Sequence, residues 1–306
     1  MLRTSVAICI SLALAVAIAS AADQRASRAQ LSAAQIVDKN VAVRGGLQAW
    51  RAVQTMSLEG KLGAGGNQRA TLPVPSPTRG HKLSPQTVPR RPVEEVQLPF
   101  LMELKRPRKV RLELQFNGKT AVQVYDGTNG WKLRPFLNRL EVEPYTADET
   151  KIASMQADLD GPLVDYAAKG TRVELAGMEK VEDRDTYKLK LTTKNGQAIH
   201  VWIDAQTFLE AKIEGQPRRL DGTDHPVEVY FRDYRPVNGL QIPYLLETHV
   251  LPVGKNTLGF RDTPVPPEKI IVEKVVVNPK LEESRFTKPE VPGASTGKTM
   301  AVAGRS

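Results

Sequence analysis

Residues 100–116 read "FLMELKRPRKVRLELQF", and the alternation in this stretch decides the fold. The even positions Met102, Leu104, Val110, Leu112, Leu114 and Phe116 are apolar, whereas the odd positions Glu103, Lys105, Lys109, Arg111, Glu113 and Gln115 are polar or charged. A period of two with one oily and one charged side is a β-strand whose sheet meets water on one face only. Arg106 and Arg108 share the apolar parity, and Pro107 between them marks an edge or bulge where that parity can slip. On the apolar face Arg106 must find carbonyl or carboxylate partners; after a slip it would make an ordinary surface ion pair.

Outward from this stretch the strand pattern continues. "NGKTAVQVYDGTNGWKL" (117–133) adds two strand segments, entered through Asn117-Gly118 and joined by the turn formers Asp126 to Gly130. That turn brings a hairpin round and points Trp131 at the sheet interior, as plain core or at the mouth of a cavity. From Gly170 onward strands and turns recur, with Lys194-Asn195-Gly196 and Val237-Asn238-Gly239 as hairpin turns, for about ten antiparallel strands in all. Ser32 caps a helix that carries Ile36, Val37 and Val41 and stops at Gly45-Gly46; a short helical piece with Leu47 and Trp50 follows. Thr146 and Glu149 form a capping box for a helix with Ile152, Met155 and Leu159 on one face, and Pro162 opens a second helical turn with Leu163 and Tyr166. An amphipathic helix inside a strand-rich chain has to cover something.

The 306 residues suffice for one large domain. Arg3, an apolar run from Val6 to Ile18 and the small residues Ala19 to Ala21 predict a secretory signal peptide, residues 1–21, too short to span a bilayer. Cys9, the sole cysteine, would leave with it, so the mature chain is expected to be soluble and free of both disulfide and lipid anchor. Residues 63–98 hold many prolines and little periodicity and read as a disordered insertion; with five basic and two acidic residues they carry part of the net charge of +9. Residues 30–288 remain as the folded domain, with a disordered tail over 289–306.

Catalytic signatures are weak. His81, His200, His225 and His249 are too dispersed for a short metal-ligand spacing, so neither metal nor cofactor is expected. "GASTG" at 293–297 matches a nucleophile elbow but lies in the tail, where no strand leads into a helix. Asp158, Asp160 and Asp165 read as caps at a helix end. The aromatics do not interleave with basic residues as a nucleic-acid platform requires.

"LKRPRKVRLEL", "VYDGTNGWKLRPF" and "SRFTKPEV", in this order, resemble the periplasmic lipoprotein carriers of the LolA and LolB type. The resemblance implies a mainly β fold, an incomplete antiparallel barrel with a helical lid on its concave face, and a non-enzymatic monomer. Such a carrier takes acyl chains of a lipoprotein or lipid from an inner-membrane donor to an outer-membrane acceptor. It also implies that Arg106 hydrogen-bonds to hold the lid shut, that Val110, Leu112 and Leu114 line the cavity with Trp131 and Phe136 near it, and that Ile152, Met155 and Leu159 form the lid. Two other readings stand beside it: a sensor of the RseB type that signals through a partner protein, and a structural β protein with a filled interior.

Overall fold

The computed structural model describes residues 31–64, 96–135, 140–220, 223–254 and 266–291. The expected signal peptide, most of the proline-rich insertion, Phe136, the Ser295 pentapeptide and most of the tail lie outside the described residues. The insertion is shorter than its composition suggests, because strands continue into both ends of it: Leu62 faces Leu98 and Gly63 faces Gln97 across a regular ladder.

Helices α1 (Ala33–Val43) and α2 (Leu47–Ala52) begin the described chain, and α1 starts on the reciprocal Ser32–Gln35 capping box. Strands β1 (Thr55–Ala64), β2 (Val96–Lys105), β3 (Lys109–Phe116), β4 (Lys119–Tyr125), β5 (Gly130–Leu133) and β6 (Val142–Pro144) follow, then α3 (Ala147–Gln156). The second half contains β7 (Arg172–Val181), β8 (Arg184–Thr192), β9 (Ala198–Asp204), β10 (Glu210–Glu214), β11 (Arg218–Leu220), β12 (Thr223–His225), β13 (Val227–Val237), β14 (Leu240–Val250) and β15 (Glu268–Val277). Thirteen of these form one antiparallel sheet in the order β6-β5-β4-β3-β2-β1-β15-β14-β13-β10-β9-β8-β7, and β11 and β12 form a separate two-stranded sheet. Among the described residues the two end strands, β6 and β7, do not pair with each other, so the sheet is an incomplete barrel.

The stretch 100–116 is a hairpin rather than one strand. Lys105 pairs with Lys109, and Arg106, Pro107 and Arg108 make the turn, with Arg108 in the left-handed region at φ 66°. Because the turn has three residues, Leu104 faces Val110 and Met102 faces Leu112, so the even positions keep a common face through the reversal. The Asp126–Gly130 segment is a side-chain-stabilised turn: Asp126 Oδ1 accepts from the amides of Thr128 at 2.8 Å and Asn129 at 2.7 Å. Asn117-Gly118 and Asn238-Gly239 both adopt positive φ at their two positions, as a two-residue hairpin turn requires. The second helical segment expected after Pro162 is instead a run of turns over 159–170, whose Leu163 and Val164 are fully buried.

The sheet is strongly curled. Its main core contains Tyr125 of β4 and Leu189 of β8, together with Ile36, Trp50 and Leu163 from the covering segments. At about 4.8 Å per strand, β4 and β10 would lie roughly 34 Å apart in a flat sheet. Yet α3, which packs on β4 and β5, touches the segment after β10: Gln216 Nε2 donates to Met155 Sδ at 3.7 Å. A ten-residue helix of about 15 Å cannot bridge a flat sheet, so the two halves must face each other.

Candidate functional site

On the concave face, burial divides the apolar residues into two groups. Where α1, α2 and the 157–170 segment cover the sheet, Met56, Leu104, Val110, Tyr125, Leu240 and Ile242 are buried. Farther along the same strands Leu58, Leu62, Met102, Leu112, Leu114, Ile213, Leu246 and Ile270 are only half-buried. Strand pairing places them side by side: Leu58 opposite Met102, Met102 opposite Leu112, Leu62 opposite Ile270, and Ile270 opposite Leu246. Six of the eight are thus direct neighbours, and with Leu114 and Ile213 they make up a half-buried apolar trough running on from the packed core. Gly60 lets the sheet bend there, since a Cβ at this position would lie 2.0 Å from the Ile271 carbonyl oxygen and 3.0 Å from the Phe100 ring.

Helix α3 roofs the side of the trough nearest β4 and β5. Its Thr146–Glu149 capping box is formed, and Glu149 also receives Lys132 Nζ at 2.5 and 2.7 Å, which moors the start of the helix to β5. Ala153, Ala157 and Leu159 are the buried residues of this segment; Ile152, expected on the covered face, is exposed. Within the helix itself the buried position is the small Ala153. Met155 is half-buried and reaches the opposite half of the sheet at Gln216.

Arg106 joins three parts of the molecule. Its Nε donates to the Val53 carbonyl at 2.8 Å, and its Nη2 donates to the Trp50 carbonyl at 3.1 Å and to Asp160 Oδ2 at 2.6 Å. Asp160 lies just past α3 and is 1% exposed, so its charge depends on these partners. Lys169 Nζ supplies the others, donating to Asp160 Oδ1 at 2.7 Å, to both Asp158 oxygens at 2.9 Å and to the Gly161 carbonyl at 2.7 Å. Arg44 Nη1 bonds the Asp160 carbonyl at 3.3 Å and Glu210 at 3.0 Å, Arg51 grips Asp165 with two nitrogens, and Arg108 reaches the Ser154 carbonyl. Burial and the hydrogen bond with Asp160 push Asp158 up to about 6 against the pull of Lys169. Burial also raises Asp160, but hydrogen bonds from Asp158, Lys169 and Arg106 outweigh it and hold that carboxylate at about 2.

The structure therefore places the sequence-derived residues differently. Leu112 and Leu114 lie in the trough, Val110 in the packed core beside it, and Met155 and Leu159 in the roof. Trp131 does not point at the interior: it pairs with Val124 and packs on the outer face with Val122, Leu133 and Phe286. The Tyr125–Gly130 pair takes the inner position, and the Tyr145 ring fills the space over Gly130. Sequence reading took Asp158 and Asp160 for caps, and it passed over Lys169 and Gln216. These contacts join positions 54 and 61 residues apart, which no local pattern reveals.

On the outer face the segment after β15 crosses the β2–β3 hairpin. Lys105 and Lys109 both bridge to Glu283 at 2.7 and 2.6 Å, Arg285 bridges to Glu103 and Glu113, and Phe286 is 1% exposed. Among the described residues no cluster of three or more histidine, cysteine or acidic side chains could hold a metal ion, and no helix is long and apolar enough to cross a membrane.

No family model matches the sequence, and no curated protein matches it. Among solved structures the chain is similar to a LolA superfamily protein from Nitrosomonas europaea, at 12% identity over 84% of this chain and 98% of that one, TM-score 0.49. It is also similar to a DUF1329 family protein from Desulfovibrio piger, at 14% identity over 82% and 95%, TM-score 0.48. A third is a putative outer membrane lipoprotein-sorting protein domain from Vibrio parahaemolyticus, at 12% identity over 84% and 96%, TM-score 0.46. These are likenesses of chain path, and they transfer neither ligand nor partner.

Proposed function

We propose that the chain is a non-enzymatic carrier that shelters acyl chains in the trough and releases them when α3 and the turn segment behind it lift. The observation that carries this reading is the half-buried apolar stripe of Leu58, Leu62, Met102, Leu112, Leu114, Leu246 and Ile270 beneath a roof held by polar contacts. Side chains left half-buried and side by side offer apolar surface that a methylene chain could cover.

The magnitudes fit a reversible shelter. An acyl chain of about fifteen methylenes loses on the order of 12 kcal/mol on exposure to water. A roof held by charge-assisted hydrogen bonds of about 1.5 to 3 kcal/mol each can be displaced by a partner that binds the open form better. Exported and diffusing between membranes as a monomer, such a protein would receive cargo from an inner-membrane donor and pass it to an outer-membrane acceptor. Native mass spectrometry of the protein purified from its own host tests the reading: a stoichiometric acylated adduct is expected. A ligand-free protein that also fails to take up 11-(dansylamino)undecanoate overturns it.

A further inference from the structure

The β11–β12 hairpin belongs to neither edge of the main sheet, yet it is tied across the sheet's inner face. Arg218 of β11 holds Glu268 of β15 with two hydrogen bonds of 2.6 Å each. Glu268 pairs with Thr248, two positions along from the Ile270–Leu246 pair, so its side chain stands on the same concave face as the trough. Between β10 and β15 lie β13 and β14, a span of about 14 Å, roughly twice the reach of an arginine side chain. The hairpin must therefore lean over the concave face rather than extend the sheet.

The approach to the hairpin meets the roof as well, through Gln216 and Met155. From one side α3 covers the trough, and from the other residues 215–220 and 223–225 of the arm lean over it; among the described residues the two meet at a sulfur contact, and Arg218 and Glu268, each about a third exposed, tie the arm to β15. By contrast α3 and the segment behind it are held by Lys132, Arg106, Lys169, Arg44 and Arg51. His225, 2% exposed, fixes its far end to the Leu251 carbonyl at 3.1 Å, next to the Leu251 amide bond to Pro226, so the arm is pinned where it enters β13.

We infer that the β11–β12 arm is a second gate to the trough, latched by Arg218 and Glu268, and that acyl cargo passes between this arm and the β14–β15 pair. The proposal deepens the carrier reading and rests on it for the nature of the cargo, but the latch itself exists without ligand.

The test compares the full chain with Arg218→Glu, Glu268→Arg and the charge-swapped double variant, with Arg218→Gln as a milder substitution should a reversal perturb folding. In the ligand-free protein, amide exchange over 218–220 and 223–225 is expected to quicken about 5- to 10-fold in each single variant and to return toward wild type in the double. Release of 11-(dansylamino)undecanoate, followed by stopped-flow fluorescence, is expected to accelerate by a similar factor and to be restored likewise. Unchanged exchange in both Arg218 variants refutes the latch. Faster exchange with unchanged release refutes the gate. If the wild type binds no probe, the carrier reading fails and cargo passage with it, while the exchange data still decide the latch.

Discussion

Arg106 in the β2–β3 turn and Asp160 behind α3 meet at 2.6 Å, so the tip of this hairpin is bonded directly to the segment that roofs the sheet's inner face. Asp160 is almost fully buried, and Arg106 is about a third exposed. Removing the arginine leaves a buried carboxylate with Lys169 as its remaining cation, and the Val53 and Trp50 carbonyls lose a donor. Arg106→Leu is expected to destabilise the protein by about 2 to 3 kcal/mol in urea unfolding, and Arg106→Lys by less, because lysine restores charge but cannot serve three acceptors. In transfer of an acyl probe to acceptor vesicles, Arg106→Leu should release faster than wild type; wild-type transfer removes Arg106 from the lid role.

The Asp158–Asp160 pair makes stability depend on pH in an unusual direction. Asp158 stands at about 6 in the fold, above the ~3.9 of an unfolded aspartate. Its protonated form is favoured by folding, so that contribution is complete below about pH 4 and is lost as pH rises through 6. Asp160, held at about 2, contributes stability lost only as pH falls toward 2, outside this window. Between pH 4.5 and 7.5 the wild type is thus expected to lose about 2 kcal/mol relative to Asp158→Asn, whose amide cannot ionise. Thermal unfolding of both proteins across that range reads the difference; parallel pH profiles would disprove the shared proton.

The inner face of the sheet was legible because its alternation is local: Met102, Leu104, Val110, Leu112 and Leu114 share a parity that the three-residue turn at 106–108 preserves. The same reasoning gave the Ser32 cap, the Thr146–Glu149 capping box and the Asn-Gly turns. It failed for Trp131 because the parity of β5 depends on register with β4: Trp131 opposite Val124, rather than opposite Tyr125, sends the ring outward. It failed for Ile152 because an apolar residue on a short rim helix is not compelled to face the sheet when Ala153 and Ala157 pack closer. Of the polar network only the need of Arg106 for carbonyl or carboxylate partners was legible; which groups these are was not, since Arg106, Asp160, Lys169 and Arg44 come together only once the sheet has curled.

Phe286 anchors the C-terminal strap on the outer face, in a small cluster with Val122, Val124 and Leu133. Phe286→Ala removes a fully buried ring and should cost about 3 kcal/mol, the low end for such a truncation, because the cluster is shallow and can collapse. Hydrogen exchange over 281–289 should rise in this variant. Exchange unchanged there would mean that the ion pairs of Glu283 and Arg285 hold the strap without the ring.

The inward and outward positions of one sheet supply the sharpest test of where ligand sits. Leu112 is half-buried in the trough, so Leu112→Asp puts a charge where a methylene chain would lie and alters few core contacts. Binding of 11-(dansylamino)undecanoate is expected to weaken at least 10-fold, equivalent to about 1.4 kcal/mol or more. Trp131→Phe alters only the outer cluster around Phe286 and should leave affinity within about 2-fold while lowering the unfolding midpoint. The opposite result, a loss of binding at Trp131 and none at Leu112, would place the ligand on the convex face, where the strap lies, and the trough would then be core that happens to be half-covered. Equal, small effects at both sites would mean that the probe binds neither face through these side chains.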